Sequence, residues 1–215
     1  MKYLQRFLRD YSALVVLHIV LLSNYGILAQ ERPELAFRED FMETPAEIPI
    51  NQSHLANQSL TLALHGPGKD VIKKSHHDKP TDDPYYVWSG LCDGNWAVSL
   101  GPEKPIDLRG LSKIIWRSKQ AGFRQLRVIL KLADGTWLVS SDCDGPSVDW
   151  RIHAFNIGDM KWRSLDIDKV VEGNWVETPD LSQVVEVGWT DLMPGGGSNA
   201  CSRLDWIEVY AHANE

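Results

Sequence analysis

Trp88 and Trp96 flank the loop Ser89-Gly-Leu-Cys-Asp-Gly-Asn95, which sets Asp93 and Asn95 beside two flat apolar rings. Such a lip suits a polyhydroxylated ligand, because an aromatic ring stacks on apolar faces while a carboxylate accepts hydroxyl hydrogen bonds. Asp93 can equally close an Asx turn on its own backbone. Trp150 offers a third platform. Arg117 and Arg127 supply planar forks that match carboxylates or paired hydroxyls. These six residues, Trp88, Asp93, Trp96, Arg117, Arg127 and Trp150, form the candidate ligand-binding set.

Other chemistry is weaker. Within the polar segment 69–84, His76, His77, Asp78, Asp82 and Asp83 invite a metal, yet adjacent histidines in extended chain point to opposite sides. Asp142-Cys143-Asp144-Gly145 carries part of a calcium-loop pattern without its remaining ligands. Carboxylates are plentiful, but no two are marked as a glycosidase pair, and no nucleophile-elbow motif precedes a serine. His153, between Ile152 and Ala154, reads as a packed strand histidine as readily as a base. Catalytic residues: none assigned.

The elements that must position these groups are strands. Leu126, Val128, Leu130 and Leu132 alternate with Arg127, Ile129 and Lys131, the period-2 pattern of a half-buried strand. Asp134-Gly135 then predicts a two-residue hairpin turn. That turn sets Leu132 against Trp137 and Leu130 against Val139, with Leu138 and Ser140 on the outward face beside Arg127, Ile129 and Lys131. In the preceding strand, Ile114 and Trp116 turn inward and Ile115 and Arg117 outward. The expectation is one outer face carrying Arg117, Arg127 and Lys131, either open to an anionic glycan or paired with acids such as Glu186 or Glu208. Further strands are predicted around 37–41, 60–64, 85–88, 96–100, 150–157, 161–167, 185–189 and 203–210. Segments 69–84 and 173–175 read as loops. No long amphipathic helix and no internal repeat is present.

Lys2, Arg6 and Arg9 precede an apolar run from Ala13 to Leu22, and small residues end at Ala29, the layout of a cleaved secretory signal peptide over residues 1–29. The run is too short to span a bilayer. The full chain has a net charge of −7, and cleavage after Ala29 makes it −9. An acidic exported domain has no electrostatic pull toward nucleic acid. Three cysteines allow one bridge at most, so a hydrophobic core over residues 30–215 must hold a single domain. Nine tryptophans supply much of it, with two or three to spare for a surface.

Several segments resemble a known family. Asp107-Leu108-Arg109-Gly110 followed by the β-rich run Lys113–Ser118 is similar to the Asp-Leu-Ser-Gly segment of galactose-binding-like β-sandwiches. These include several carbohydrate-binding modules and the complex I intermediate-associated proteins. Glu39-Asp40-Phe41 resembles their opening strand, Asp180–Trp189 a penultimate segment, and Arg203–Tyr210 the closing strand. The stretch 66–90 also resembles one in secreted, uncharacterised bacterial proteins. The resemblance implies a jelly-roll-like, all-β antiparallel sandwich, with a structural calcium allowed near the first strands and no other cofactor. Function is then expected to be non-catalytic binding of an extracellular or periplasmic glycan by a secreted or periplasmic domain. A protein-interaction domain and a polysaccharide-cleaving enzyme on the same scaffold are the alternatives.

Overall fold

The computed structural model describes residues 32–91, 94–192 and 201–212. The signal-peptide reading, Cys92, Asp93 and the glycine-rich segment at 195–197 lie outside the described residues.

Alternation decides the fold. Along Lys113–Gln120 burial alternates residue by residue: Ile114, Trp116, Ser118 and Gln120 are buried while Lys113, Ile115, Arg117 and Lys119 are half-exposed. Among the described residues, thirteen strands form two antiparallel sheets. The front sheet contains β1 (Glu34–Glu39), β3 (Lys73–Ser75), β4 (Tyr86–Trp88), β6 (Lys113–Gln120), β9 (Arg151–Asn156) and β13 (Ser202–Ala211), in the order β3-β4-β13-β6-β9. One edge of β13 pairs with β6 along its length, and the other is shared between β4 and β1. The back sheet contains β2 (Leu60–His65), β5 (Ala97–Pro102), β7 (Arg127–Leu132), β8 (Trp137–Ser140), β10 (Trp162–Asp166), β11 (Val171–Val176) and β12 (Val184–Thr190), in the order β11-β10-β8-β7-β12-β5-β2.

Between the sheets lie Ile114, Trp116, Phe155, Leu204, Ile207 and Val209 from the front, packed against Val98, Leu100, Val128, Leu130, Val187 and Trp189 from the back. One carboxylate sits among them. Asp144 is fully buried and accepts from Trp116 Nε1 (3.0 Å), Gln120 Nε2 (3.1 Å), Arg151 Nε (2.8 Å) and the Ser118 hydroxyl. Four donors replace the water it loses, and the Arg151 guanidinium balances its charge. Asp144 thus anchors the segment Asp142-Cys143-Asp144-Gly145 to the core.

The hairpin differs from the predicted one by a single residue. Only Gly135 takes a positive φ, +89°, and the pairs are Leu130 with Leu138 and Lys131 with Trp137. Leu132 and Thr136 close a three-residue loop, because Asp134 Oδ1 accepts the Thr136 N–H at 2.8 Å and holds an Asx turn in place of the two-residue turn. A one-residue slip exchanges faces. Leu138 points into the core, and Trp137 and Val139 point outward with Ile129.

Three other expectations change. Arg117 and the pair Arg127 and Lys131 do not share a face, because the chain crosses from front to back sheet between β6 and β7. Segment 171–176, read in part as a loop, is strand β11. Lys73–Ser75, inside the long polar segment, is strand β3.

Candidate functional site

The outer face of the front sheet collects aromatic rings and cations in register. Lys73 stands opposite Trp88, Trp88 opposite Arg203, and Arg203 opposite Lys119, a row across four strands. Val87, Leu204 and Ser118, one position along, point inward, so this row points outward. Two residues further along β6, Arg117 pairs with Trp206, and beyond it Lys113 pairs with Tyr210.

Five cations lie over five rings on this face. Arg38 is 4.5 Å from the Trp206 ring centre, Lys113 4.6 Å from Tyr210, Arg117 5.5 Å from Trp150, and Arg203 and Lys73 each 5.7 Å from Tyr86 and Trp88. Each pair contributes about 0.5–1 kcal/mol at a half-exposed site and, more usefully, holds the ring in one rotamer. Trp150 reaches over the sheet to lie 5.3 Å from Tyr86, which is buried beneath it. Burial pushes the Tyr86 phenol up, and its hydroxyl meets His77 Nδ1 at 2.9 Å, itself 2.9 Å from Asp83. The polar segment thus forms a rim. Its histidines part as extended chain requires: His77 joins that rim, while His76 stacks flat on Tyr85 at 4.0 Å.

The carboxylates of this face are held by cations. Asp205 accepts from Arg117 at 2.7 Å; burial pushes its carboxyl up, and the guanidinium pulls against that shift. Glu208 and Asp40 share Arg38, which they hold above its ordinary basicity.

Of the six residues selected from sequence, three come together here: Trp88, Arg117 and Trp150. Trp96 does not, being 1% exposed in the core, where a large ring is worth about 3–5 kcal/mol against alanine. Arg127 lies on the back sheet, 3.2 Å from Glu172. Asp93 lies outside the described residues. Sequence reasoning missed Arg38, Lys73, Arg203 and Trp206. The alternation Arg203-Leu204 and Trp206-Ile207-Glu208-Val209-Tyr210 was the available signal, but a bulge between Leu204 and Trp206 breaks its period.

The outer face of the back sheet is closed. Ala97, Ile129, Trp137, Val139 and Leu165 are buried there beneath Val170, from the loop between β10 and β11. Val170 is fully buried at φ +52°, an unfavourable conformation for a β-branched residue, and its carbonyl accepts from Asn95 Nδ2 at 2.8 Å. Nearby, Ser99 Oγ donates to Glu186 (2.5 Å) and sits 2.9 Å from His65 Nε2, while Lys131 bridges Glu186 at 2.7 Å. Burial lowers the basicity of His65. In a nucleophilic triad the acid orients the far nitrogen of the histidine. Here acid and histidine both address the serine, which is fully buried, so the trio is a structural clasp.

Near the first strands, the fully buried Glu39 gives its oxygens to the N–H groups of Phe41, Ala56 and Asn57 at 2.6–2.9 Å. Burial pushes its carboxyl up, and the three N–H groups pull against that shift. Among the described residues, no three His, Cys, Asp or Glu side chains converge as a metal cage would. Cys143 and Cys201 are free thiols.

No family model and no curated protein matches the chain. Among solved structures it is similar to a family 11 carbohydrate-binding module from Clostridium thermocellum in complex with a beta-1,3-1,4-mixed-linked tetrasaccharide (14% identity, TM-score 0.47, covering 81% of this chain and 100% of that one). It is also similar to a family 29 carbohydrate-binding module (10% identity, TM-score 0.41, 78% and 92%) and to part of an exo-beta-agarase (8% identity, TM-score 0.42, 78% and 25%).

Proposed function

We propose that this protein is an exported, non-catalytic carbohydrate-binding domain that holds a glycan on the outer face of its front sheet. The observation that carries the reading is the set of five cation-braced aromatic rings on one face of an otherwise acidic chain. Trp88, Trp150 and Trp206 serve as platforms for sugar rings, and Arg117 and Arg203 as forks for their oxygens. A single stacked cation occupies only one face of a ring. Bracing also lowers the entropy lost when the ring is ordered by a ligand, which favours weak, repeated contacts with a polymer.

The test is titration of soluble polysaccharides against the protein and its alanine variants. Trp150→Ala and Trp206→Ala are each expected to weaken binding about tenfold, roughly 1.4 kcal/mol. Trp175→Ala, an exposed ring on β11 of the other sheet, is expected to leave affinity unchanged. Equal affinity in all three variants and the wild type would sink the assignment.

A further inference from the structure

The row that begins the front face is electrostatically incomplete. Lys73, Arg203, Lys119 and, two positions along, Arg117 bring four positive charges to one end of the sheet. Among the described residues, two carboxylates answer them. Asp205 is engaged by Arg117 at 2.7 Å, and the exposed Asp149 stands 3.6 Å from Lys119. Arg203 and Lys73 have no ion-pair partner among the described residues, only the rings of Tyr86 and Trp88. Arg203 and Lys119 are also directly opposite each other in the ladder, where like charges repel and destabilise a sheet. This cationic surplus is concentrated on a chain whose net charge is −7.

A second observation marks the same place. Trp88 Nε1 and Arg203 Nε, on residues opposite each other in the ladder, are both shielded from water and donate to nothing among the described residues. Two neighbouring orphan donors each cost what an unmade buried hydrogen bond costs. The polar network stops short at the point where the cations converge.

Resting on the carbohydrate reading above, we infer that the ligand is an anionic polysaccharide, whose carboxylate or sulfate groups are gripped by Arg203, Lys119 and Lys73 while Trp88 and Trp150 carry the adjoining sugar rings. A guanidinium takes such a group through two parallel N–H bonds, and the lysines add point charge on either side. An anion here relieves the repulsion between Arg203 and Lys119, so binding also stabilises the sheet.

The experiment compares the full protein on polygalacturonate and on the same polymer fully methyl-esterified, with a sulfated galactan and its desulfated form as the second pair. Polyacrylate serves as a sugar-free polyanion. The acidic member of at least one pair is expected to bind about tenfold more tightly than its neutral counterpart at low salt, with the advantage eroded by added salt. Which pair shows the advantage separates carboxylate from sulfate recognition. Lys119→Gln is expected to reduce that advantage to near unity while leaving binding of the neutral polymer in place, whereas Arg203→Gln is expected to reduce the advantage and to weaken the neutral polymer as well. Equal or tighter binding of the neutral polymers overturns the inference and leaves the carbohydrate reading standing. Polyacrylate binding as tightly as the best polysaccharide overturns the inference in favour of a general polyanion surface. Failure to bind any polysaccharide overturns both.

Discussion

The two outer faces of this sandwich obey the same alternation and have opposite fates. On the front sheet, the outward positions of β3, β4, β6 and β13 include Lys73, Trp88, Arg117, Lys119, Arg203, Trp206 and Tyr210, which stay half-exposed. The middle of the back sheet is small or aliphatic at Ala97, Ser99, Gly188, Ile129 and Val139 and is capped by the chain's own loop with Val170, while Arg163 over Trp175 (4.1 Å) stays outside the cap at the β10–β11 end. Glycine matters at position 188: a Cβ there would fall 2.0 Å from the Val98 carbonyl oxygen. A face of small side chains is a depression that apolar atoms fill, whereas a face of braced rings cannot be covered by an apolar loop without stripping water from its charges. Side-chain size and charge thus decide which face closes.

The sharpest way to break this contrast is Val170→Asp. A carboxylate in the sealed cluster is expected to cost about 3–4 kcal/mol, read by urea unfolding, with front-face binding intact below the transition. A loss under about 1 kcal/mol would mean that the loop covers the back sheet without sealing it.

The front sheet carries its own stability liability at its edge. Lys74 is fully buried on β3, its ammonium lies 4.8 Å from the Tyr85 ring centre, and it has no hydrogen-bond partner among the described residues. Burial lowers its pKa from 10.5 to about 8. The folded state therefore favours the neutral amine. That contribution is fully present above about 10.5 and is lost as pH falls through about 8. Lys74→Met is expected to stabilise the protein at pH 7 by on the order of 3 kcal/mol and to flatten the rise in melting temperature between pH 7 and 10. An unchanged profile would show that the ammonium is hydrated in solution.

Trp137 and Trp206 exchange the two effects. Trp137→Ala is expected to cost roughly 3 kcal/mol of stability and no affinity; Trp206→Ala is expected to cost under about 1 kcal/mol of stability and about tenfold in affinity. Smallest is Arg127→Ala. Its pair with Glu172 is a surface ion pair, so a change within about 0.5 kcal/mol and unaltered glycan titrations are expected.

Sequence made the sandwich legible because alternation is local: all eleven predicted strand segments overlap strands, and β2, β6, β7 and β13 fall close to their expected bounds. What it could not show is which strands share a sheet. Arg117 and Arg127 are ten residues apart and read as neighbours, yet the crossing between them depends on pairings with β13 and β12. The hairpin register turned on one side-chain hydrogen bond from Asp134, and the binding row on an alignment of four strands drawn from distant parts of the chain. Trp96 shows the same limit: its burial depends on the opposite sheet, which its neighbours in sequence do not reveal.

The position of β13 has a consequence for how the molecule is made. Every strand of the back sheet lies before residue 191, so its pairings need nothing from β13. The front sheet cannot form without β13, because β1, β4 and β6 meet only through it. Until residues 202–211 arrive, the front strands have their apolar sides and open edges on offer to any neighbour, and the back sheet lacks its cover. The binding row, which needs Arg203 between Trp88 and Lys119, comes into being in that same step, so the site exists only once β13 has docked.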